Sequence, residues 1–309
     1  MSTDNPIKAL EIISREAQQL KTTPEYNTGR RFLEMKKYFP FHLLKYALMI
    51  KKRKSMKAKV DALSKTTPDD DYYASPEPVS DKKGIVYTCI TSGYDDPCEP
   101  LLTNPCLDYK MFTENSAVEK DSVWQVEPIS EELVAKKGNF ANRYFKFNSH
   151  DLFGRDYDYA IYIDGCVRII SDVTGLYRTA REAPTGIAIH RHYLRDCAYK
   201  EAQWCVLNNK GNPEKILELI QRFKDEGFPE GFGLCECPVI VIDLKSENAK
   251  RIMDEWWHEF SEVSPQVGRD QITLPYIIWK LGYSLDDVGN LGSSIYKNPK
   301  FLKITYHNS

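Results

Sequence analysis

The chain has 309 residues, enough to bury a sizeable core as one large α/β domain or as a domain with an appendage. Its formal net charge of -2 gives no global reason to expect a nucleic-acid partner, and no stretch is apolar for long enough to span a bilayer. Its cysteines form no CxxC pair and show no zinc-like spacing, and Met1 to Lys21 lacks the apolar core of a signal peptide, so reduced thiols and a cytoplasmic location are expected.

Between Asn5 and Lys21, Ile7, Leu10, Ile13 and Ala17 fall on one helical face and predict a short amphipathic helix. The segment Arg30 to Lys59 is basic throughout, with Glu34 its single acid, and interleaves its charges with Phe32, Tyr38, Phe39, Phe41, Tyr46 and aliphatic residues. Two readings stand side by side. Such a helix can lie on an anionic membrane surface, giving a peripheral protein at the inner membrane face, or it can dock its apolar side on the main domain and leave its lysines solvated. Thr66 to Lys83 is polar and rich in Asp, Pro and Ser, so residues 1–80 read as a basic helical extension and linker.

The first convincing strand is Gly84 to Ile90, opening into the polar loop Thr91-Ser92-Gly93-Tyr94-Asp95. A β-rich run that ends in such a loop is how nucleotide-binding α/β domains often begin, although the GxGxxG fingerprint is missing. Tyr109 to Thr113 and Ser122 to Val126 predict short strands, and Ile129 to Phe153 a helical region. There Arg143 and Lys146, three apart, share a face and can hold a diphosphate or form an ordinary solvated edge.

Tyr159 to Ile163 is an uncharged aromatic and β-branched run that suits a central strand buried on both faces. It stops at Asp164-Gly165-Cys166. A carboxylate there sits where open α/β sheets bind ligands, beside a glycine that can turn with positive φ and admit a ligand to the backbone; the same pair also makes a plain strand-end turn. Gly186 to Ile189 is a further buried strand, ending in His190-Arg191-His192-Tyr193-Leu194-Arg195, and ionisable residues at that place suggest substrate or phosphate contact. Helices follow over Cys197 to Asn208 and Pro213 to Glu226. Glu236-Cys237-Pro238 then precedes the strand Val239 to Leu244, a helix over Ser246 to Glu262, and Arg269-Asp270-Gln271 ahead of a last helix, Ile272 to Leu281. Asp270 near that helix start is also explained by capping alone. Residues 287–309 read as a polar carboxyl-terminal tail with Gly and Pro, wrapped loosely over the domain.

The order of these motifs resembles a glycosyltransferase-like domain family, once listed as a domain of unknown function and found in plant and bacterial glycan-synthesis proteins. The resemblance rests on Val86 to Asp95, Asp108 to Thr113, Asp164-Gly165, His190-Arg191-His192, Glu236 to Ile242 and Arg269-Asp270-Gln271. It covers Gly84 to Tyr283 and implies a GT-A-like, mixed and mostly parallel sheet flanked by helices over residues 81–286. It further implies a glycosyltransferase that moves a sugar from a nucleotide-sugar donor, UDP-linked, to a glycan or lipid-linked acceptor in surface polysaccharide synthesis, such as lipopolysaccharide or capsule. By the same match Asp270 and Glu236 are candidate catalytic acids or bases. Thr91, Tyr94, Asp95, Arg143, Lys146, Asp164, Gly165 and Arg191 are candidates for the donor and its phosphates, and His190, His192, Arg269 and Gln271 for sugar or acceptor. Relatives hold Mn2+ or Mg2+ with an Asp-x-Asp triplet. The matching triplet here is Asp164-Gly165-Cys166, which leaves Asp164 as the one metal-ligand candidate, to be joined by His190, His192 or His307, or leaves cations to act without metal. The missing carboxylate also fits a second reading, a nucleotide- or carbohydrate-binding module without turnover.

Overall fold

A computed structural model describes residues 51–64 except 53, 56 and 60, and residues 73–95, 98–114, 121–136, 140–263 and 266–304. The amino-terminal helix, most of the basic segment and His307 lie outside these residues. Where that segment is described it is helical over 51–61, with Lys51, Lys52, Lys54, Lys57 and Lys59 exposed. Among the described residues no helix is long and apolar enough to cross a membrane.

A seven-stranded sheet organises the fold in the order β3-β2-β1-β4-β7-β6-β8. The strands are β1 (Gly84–Ile90), β2 (Leu107–Thr113), β3 (Gln125–Pro128), β4 (Tyr159–Ile163), β6 (Ile187–Arg191), β7 (Cys235–Asp243) and β8 (Gly289–Asn290). All neighbouring pairs are parallel except β4–β7 and β6–β7, so β7 alone runs against the rest. The sheet is therefore mixed and mostly parallel, as the sequence predicts. The short pair β5 (Val167–Ile169) and β9 (Phe301–Lys303) stands apart from it.

Every residue of β1, β4 and β7 is buried, because both faces of the sheet are covered. One face packs against α2 (Phe140–Phe147), α3 (Ser149–Phe153), α5 (Ala198–Leu207), α6 (Pro213–Asp225), α7 (Glu247–His258) and α8 (Asp270–Lys280), with Phe145, Phe153, Ala202, Ile216, Met253 and Ile277 in the shared core. α1 (Glu131–Ala135) is a short surface turn capped by the Ser130 hydroxyl. α8 is apolar nearly all round, from Ile272 to Ile278, which is the pattern of a helix buried on all sides. The other face is covered by α4 (Leu176–Glu182) and by the carboxyl-terminal segment, whose Leu291, Ile295 and Phe301 are 0% exposed.

Two expectations change here. The stretch 287–309, read as a loose wrap over the domain, does lie over it but, as far as it is described, is packed into it: it contributes β8 and β9 and closes the second core. Residues 73–80, read as linker, are also tied in: Tyr73 bridges to Gly292, and the Val79 N–H donates to Thr174 Oγ1 at 3.1 Å. Both segments carry isolated apolar residues among Gly, Pro and Ser, so neither shows a periodicity from which packing could be read.

Candidate active site

β7 positions the site by its direction and its irregularity. Because it is antiparallel, its first residues, Cys235 and Glu236, lie at the edge where β4 and β6 end. Pairing with β6 jumps from Ile189↔Ile240 to His190↔Glu236, so Cys237, Pro238 and Val239 bulge without partners on that side. Proline has no N–H to give to a ladder, and such bulges re-aim side chains beside functional sites. The carbonyl of Pro238 still accepts the Asp164 N–H at 2.8 Å, which fixes the end of β4 against the bulge.

A cavity of about 340 Å³ opens at this edge, within the roughly 300–1,000 Å³ range of small-molecule sites. It brings together Arg143, Asp164, His192, Glu236, Arg269, Asp270 and Gln271 from five stretches of chain. The sequence reading did not single out Tyr193, Glu201, Trp204, Tyr296 or Lys303, which also line it. Lys303 and Tyr296 come from the supposed tail, and Arg195 from the polar run after β6.

At the β4 end, Asp164 is one-third exposed; its Oδ1 accepts the Tyr162 hydroxyl at 3.0 Å and lies 3.7 Å from Lys146 Nζ. The Asn142 amide donates to the Cys89 carbonyl at 2.6 Å and to Tyr162 Oη at 3.2 Å, tying β1 and α2 to the same group. Lys146 and Arg143 do share a helix face, and that face is turned inward. Lys146, 1% exposed, donates to Asp270 Oδ2 at 2.6 Å, and Arg143 stands 3.5 Å from Asp270 Oδ1. Burial alone would raise the Asp270 pKa, but Arg143, Lys146 and Arg269 outweigh it and hold the carboxyl well below its usual range. Asp270 opens α8 without serving as its cap, and Gln271 bonds the Cys235 carbonyl at 3.4 Å.

Glu236 behaves oppositely. Burial pushes its pKa up to about 7, against the Ile295 N–H donating to Oε2 at 3.0 Å, Lys303, the Ser294 hydroxyl and Arg195. Lys303 keeps its charge despite its own burial, with Tyr296, Cys166, Asp164 and Glu236 raising its pKa.

The remaining predicted residues do not reach the cavity. His190 is wholly buried, its Nε2 lies 2.9 Å from Asn298 Nδ2, and burial lowers its pKa to about 3, so it is a neutral strut for the carboxyl-terminal segment. Arg191 points away, its guanidinium donating to the Leu285 and Val288 carbonyls at 2.5 and 2.9 Å. Thr91, Tyr94 and Asp95 sit in the loop after β1, with Tyr94 55% exposed. Gly165 lacks the positive φ read for it. Glycine is needed there because a Cβ would stand 2.8 Å from Ile90 Cγ1 and 3.0 Å from Asp95 Oδ2.

The donor set does not fit a protein-built Mn2+ or Mg2+ site. Among the described residues no three His, Cys, Asp or Glu side chains cluster to hold a metal ion. Asp164 already faces Lys146, and burial lifts the Cys166 thiol that replaces the second carboxylate to a pKa of about 12, so it stays neutral.

Solved structures with similarity include the apo form of the bifunctional glycosyltransferase WbbM (14% identity, TM-score 0.42, covering 77% of this chain and 48% of that one). Others are mouse xyloside xylosyltransferase 1 in its apo form (10%, 0.37, 72% and 97%) and the S. cerevisiae mannosyltransferase Ktr4p in complex with GDP (11%, 0.36, 83% and 82%). The chain thus spans about half the length of the WbbM chain, 48%. No curated protein matches the sequence. The TOD1/MUCI70 glycosyltransferase-like domain matches residues 71–305, most of the chain, and the protein belongs to that family.

Proposed function

We propose that the chain transfers a sugar from a nucleotide-sugar donor, UDP-linked, to a glycan or lipid-linked acceptor in surface polysaccharide synthesis. The observation that supports this most is the meeting in one cavity of an accessible carboxylate, Asp164, a cation outside the Asp270 ion cluster, Lys303, and a buried carboxyl whose pKa lies near neutrality, Glu236.

Transfer breaks the bond between the anomeric carbon and the diphosphate oxygen while the acceptor oxygen forms a new one and gives up its proton. Negative charge grows on the departing phosphate, and fixed cations lower the barrier most when they need not reorganise. Arg143 and Lys303 are the groups assigned that task. In an inverting transfer a base must take the acceptor proton, and Glu236 has the proton affinity for it near pH 7. Asp270 lacks that affinity. It orients Lys146 and Arg143 instead, while Asp164 takes hydroxyls of the donor sugar. The basic segment 30–59 is assigned to hold the protein at an anionic membrane surface, where a lipid-linked acceptor is presented. Were a divalent ion bound, Asp164 would be the residue to hold it, and the ion would supply charge stabilisation to the departing phosphate.

Calorimetric titration with a panel of nucleotide-sugars, with and without Mn2+, followed by turnover with added glycan acceptors, tests the reading. Binding of one donor, with nucleotide release that collapses in Asp164→Ala and Glu236→Gln, supports it. The neutral Cys166 thiol favours the second reading, a binding module, and binding without turnover would decide for that. No binding of any common donor would leave sugar transfer without support.

A further inference from the structure

The cavity also holds a cation that the transfer mechanism leaves unused. Arg195 is 4% exposed. Its Nε donates to Glu201 Oε2 at 2.5 Å, and its guanidinium lies 4.7 Å over the Trp204 ring. Its Nη1 is buried and has no hydrogen-bond partner. A charged donor buried without an acceptor is strongly disfavoured, so a folded chain that keeps one there points to a missing ligand.

The neighbouring nitrogen adds to this. Arg195 Nη2 stands 3.1 Å from His192 Nε2. His192 Nδ1 accepts the backbone N–H groups of Leu194 and Arg195 at 3.2 and 3.0 Å, which in a neutral ring puts the proton on Nε2. Nη2 is thus taken up beside His192, and Nη1, with its two N–H groups and no partner, is the part of Arg195 left to an incoming acceptor. The local charge agrees. Arg269, which also faces Asp270, lies 3.9 Å from the same Glu201 carboxylate that Arg195 holds, so Glu201 is shared between two guanidinium groups.

Sheet order says which substrate would reach this place. Asp164 follows β4, Arg195 follows β6, and Glu236 begins β7 between them. Strands lie about 4.8 Å apart, which puts the two ends roughly 10 Å from each other with Glu236 in the middle. A donor diphosphate at the Asp164 end leaves the Arg195 end to the acceptor. Tyr193, 38% exposed, stacks on His192 and meets Tyr296 edge-on, giving that end an aromatic rim for a sugar ring.

We propose that the buried Arg195 guanidinium binds a carboxylate or phosphate on the acceptor, so that the acceptor is an acidic saccharide whose hydroxyl is presented to Glu236. The proposal rests on the sugar-transfer reading above. It is tested on the full chain saturated with UDP, titrated with a glucuronate-terminated disaccharide, its neutral glucose-terminated counterpart and glucose 6-phosphate. The expected result is at least about tenfold tighter binding of an anionic probe than of the neutral one, the worth of one charge-assisted hydrogen bond. The stronger of the two anionic probes identifies carboxylate or phosphate. Because Arg195→Gln alone would strand Glu201, the variant is Arg195→Gln with Glu201→Gln, which removes the buried pair together. It should lose the preference for the anionic probes and keep its UDP affinity. Equal binding of all three saccharides by the wild type overturns the proposal, as does a double variant that keeps the preference. A double variant that loses UDP affinity also overturns it, since Arg195 would then belong to the donor. Wild-type protein that ignores UDP but prefers the acidic disaccharide sinks the donor reading and supports the anion site.

Discussion

Replacing Asp270 with asparagine keeps the shape of the side chain and removes the charge that holds Lys146 and Arg143. Lys146, 1% exposed, would lose its partner at 2.6 Å, and Arg143, 13% exposed, its partner at 3.5 Å. At an effective dielectric of about 20 the first attraction is about 6 kcal/mol before desolvation, most of which the burial of two ions offsets. Removing one member of such a pair is costlier than the net worth of the pair, because the other charge stays buried; about 3–5 kcal/mol is expected. For a domain of this size that lowers Tm by about 6–20 °C. Thermal unfolding followed by circular dichroism measures it. The Asp270 carboxyl titrates well below its usual range in the folded chain, so its stabilisation is present above the ordinary carboxylate pKa and is lost as pH falls through the folded value. Wild type and Asp270→Asn should therefore converge in strong acid. Adding Lys146→Met to Asp270→Asn should recover much of the loss. A single variant as stable as the wild type at pH 7 would refute the buried-cluster reasoning.

The pH profile of Glu236 has the opposite sign. Its pKa of about 7 means that the folded chain keeps a proton the unfolded chain releases, so its contribution to stability is full below the ordinary range and lost as pH rises through about 7. Glu236→Gln should be more stable than wild type at pH 8 and about equal at pH 4, while turnover falls about 10²–10⁴-fold and loses its limb near pH 7; an unchanged limb would clear Glu236 of the base role. Gly165→Ala should cost about 1–3 kcal/mol in denaturant unfolding and weaken donor binding, since the methyl group would press on Ile90 and Asp95; a neutral outcome would contradict the close approach. The full chain should pellet with anionic vesicles, less so as salt rises, and a version starting at Asp71 should not; equal pelleting would remove the membrane assignment from residues 30–59.

The strand ends were legible because apolar runs such as Tyr159 to Ile163 stop abruptly at Asp164, and the family match extended that reading to Glu236 and Asp270. The direction of β7 was not legible, since Val239 to Asp243 reads the same in either orientation; only the pairing with β4 and β6 carries Glu236 to the shared edge. The partnership of Lys146 with Asp270, 124 residues apart, has no local trace, and so Lys146 read as a diphosphate holder or a solvated edge and Asp270 as a catalytic group or a helix cap. His190 and Arg191 sit in a polar run that pointed to ligand contact, but alternation along β6 sends them to opposite faces of the sheet, and both faces are covered by protein. Lys303 was hidden in a stretch without periodicity. Arg195 did stand in the polar run after β6, three residues beyond His192, where a helical or tight-turn reading would have joined them.

The claim on which the account depends is that sugar donor and acceptor meet across Glu236. A crystal soaked with the nucleotide-sugar that binds most tightly tests it directly. The account predicts the diphosphate beside Asp164, Arg143 and Lys303, with the anomeric carbon facing Glu236 and room for an acceptor oxygen about 3–3.5 Å away. A donor bound elsewhere on the surface, or bound with its sugar turned from Glu236, would contradict it.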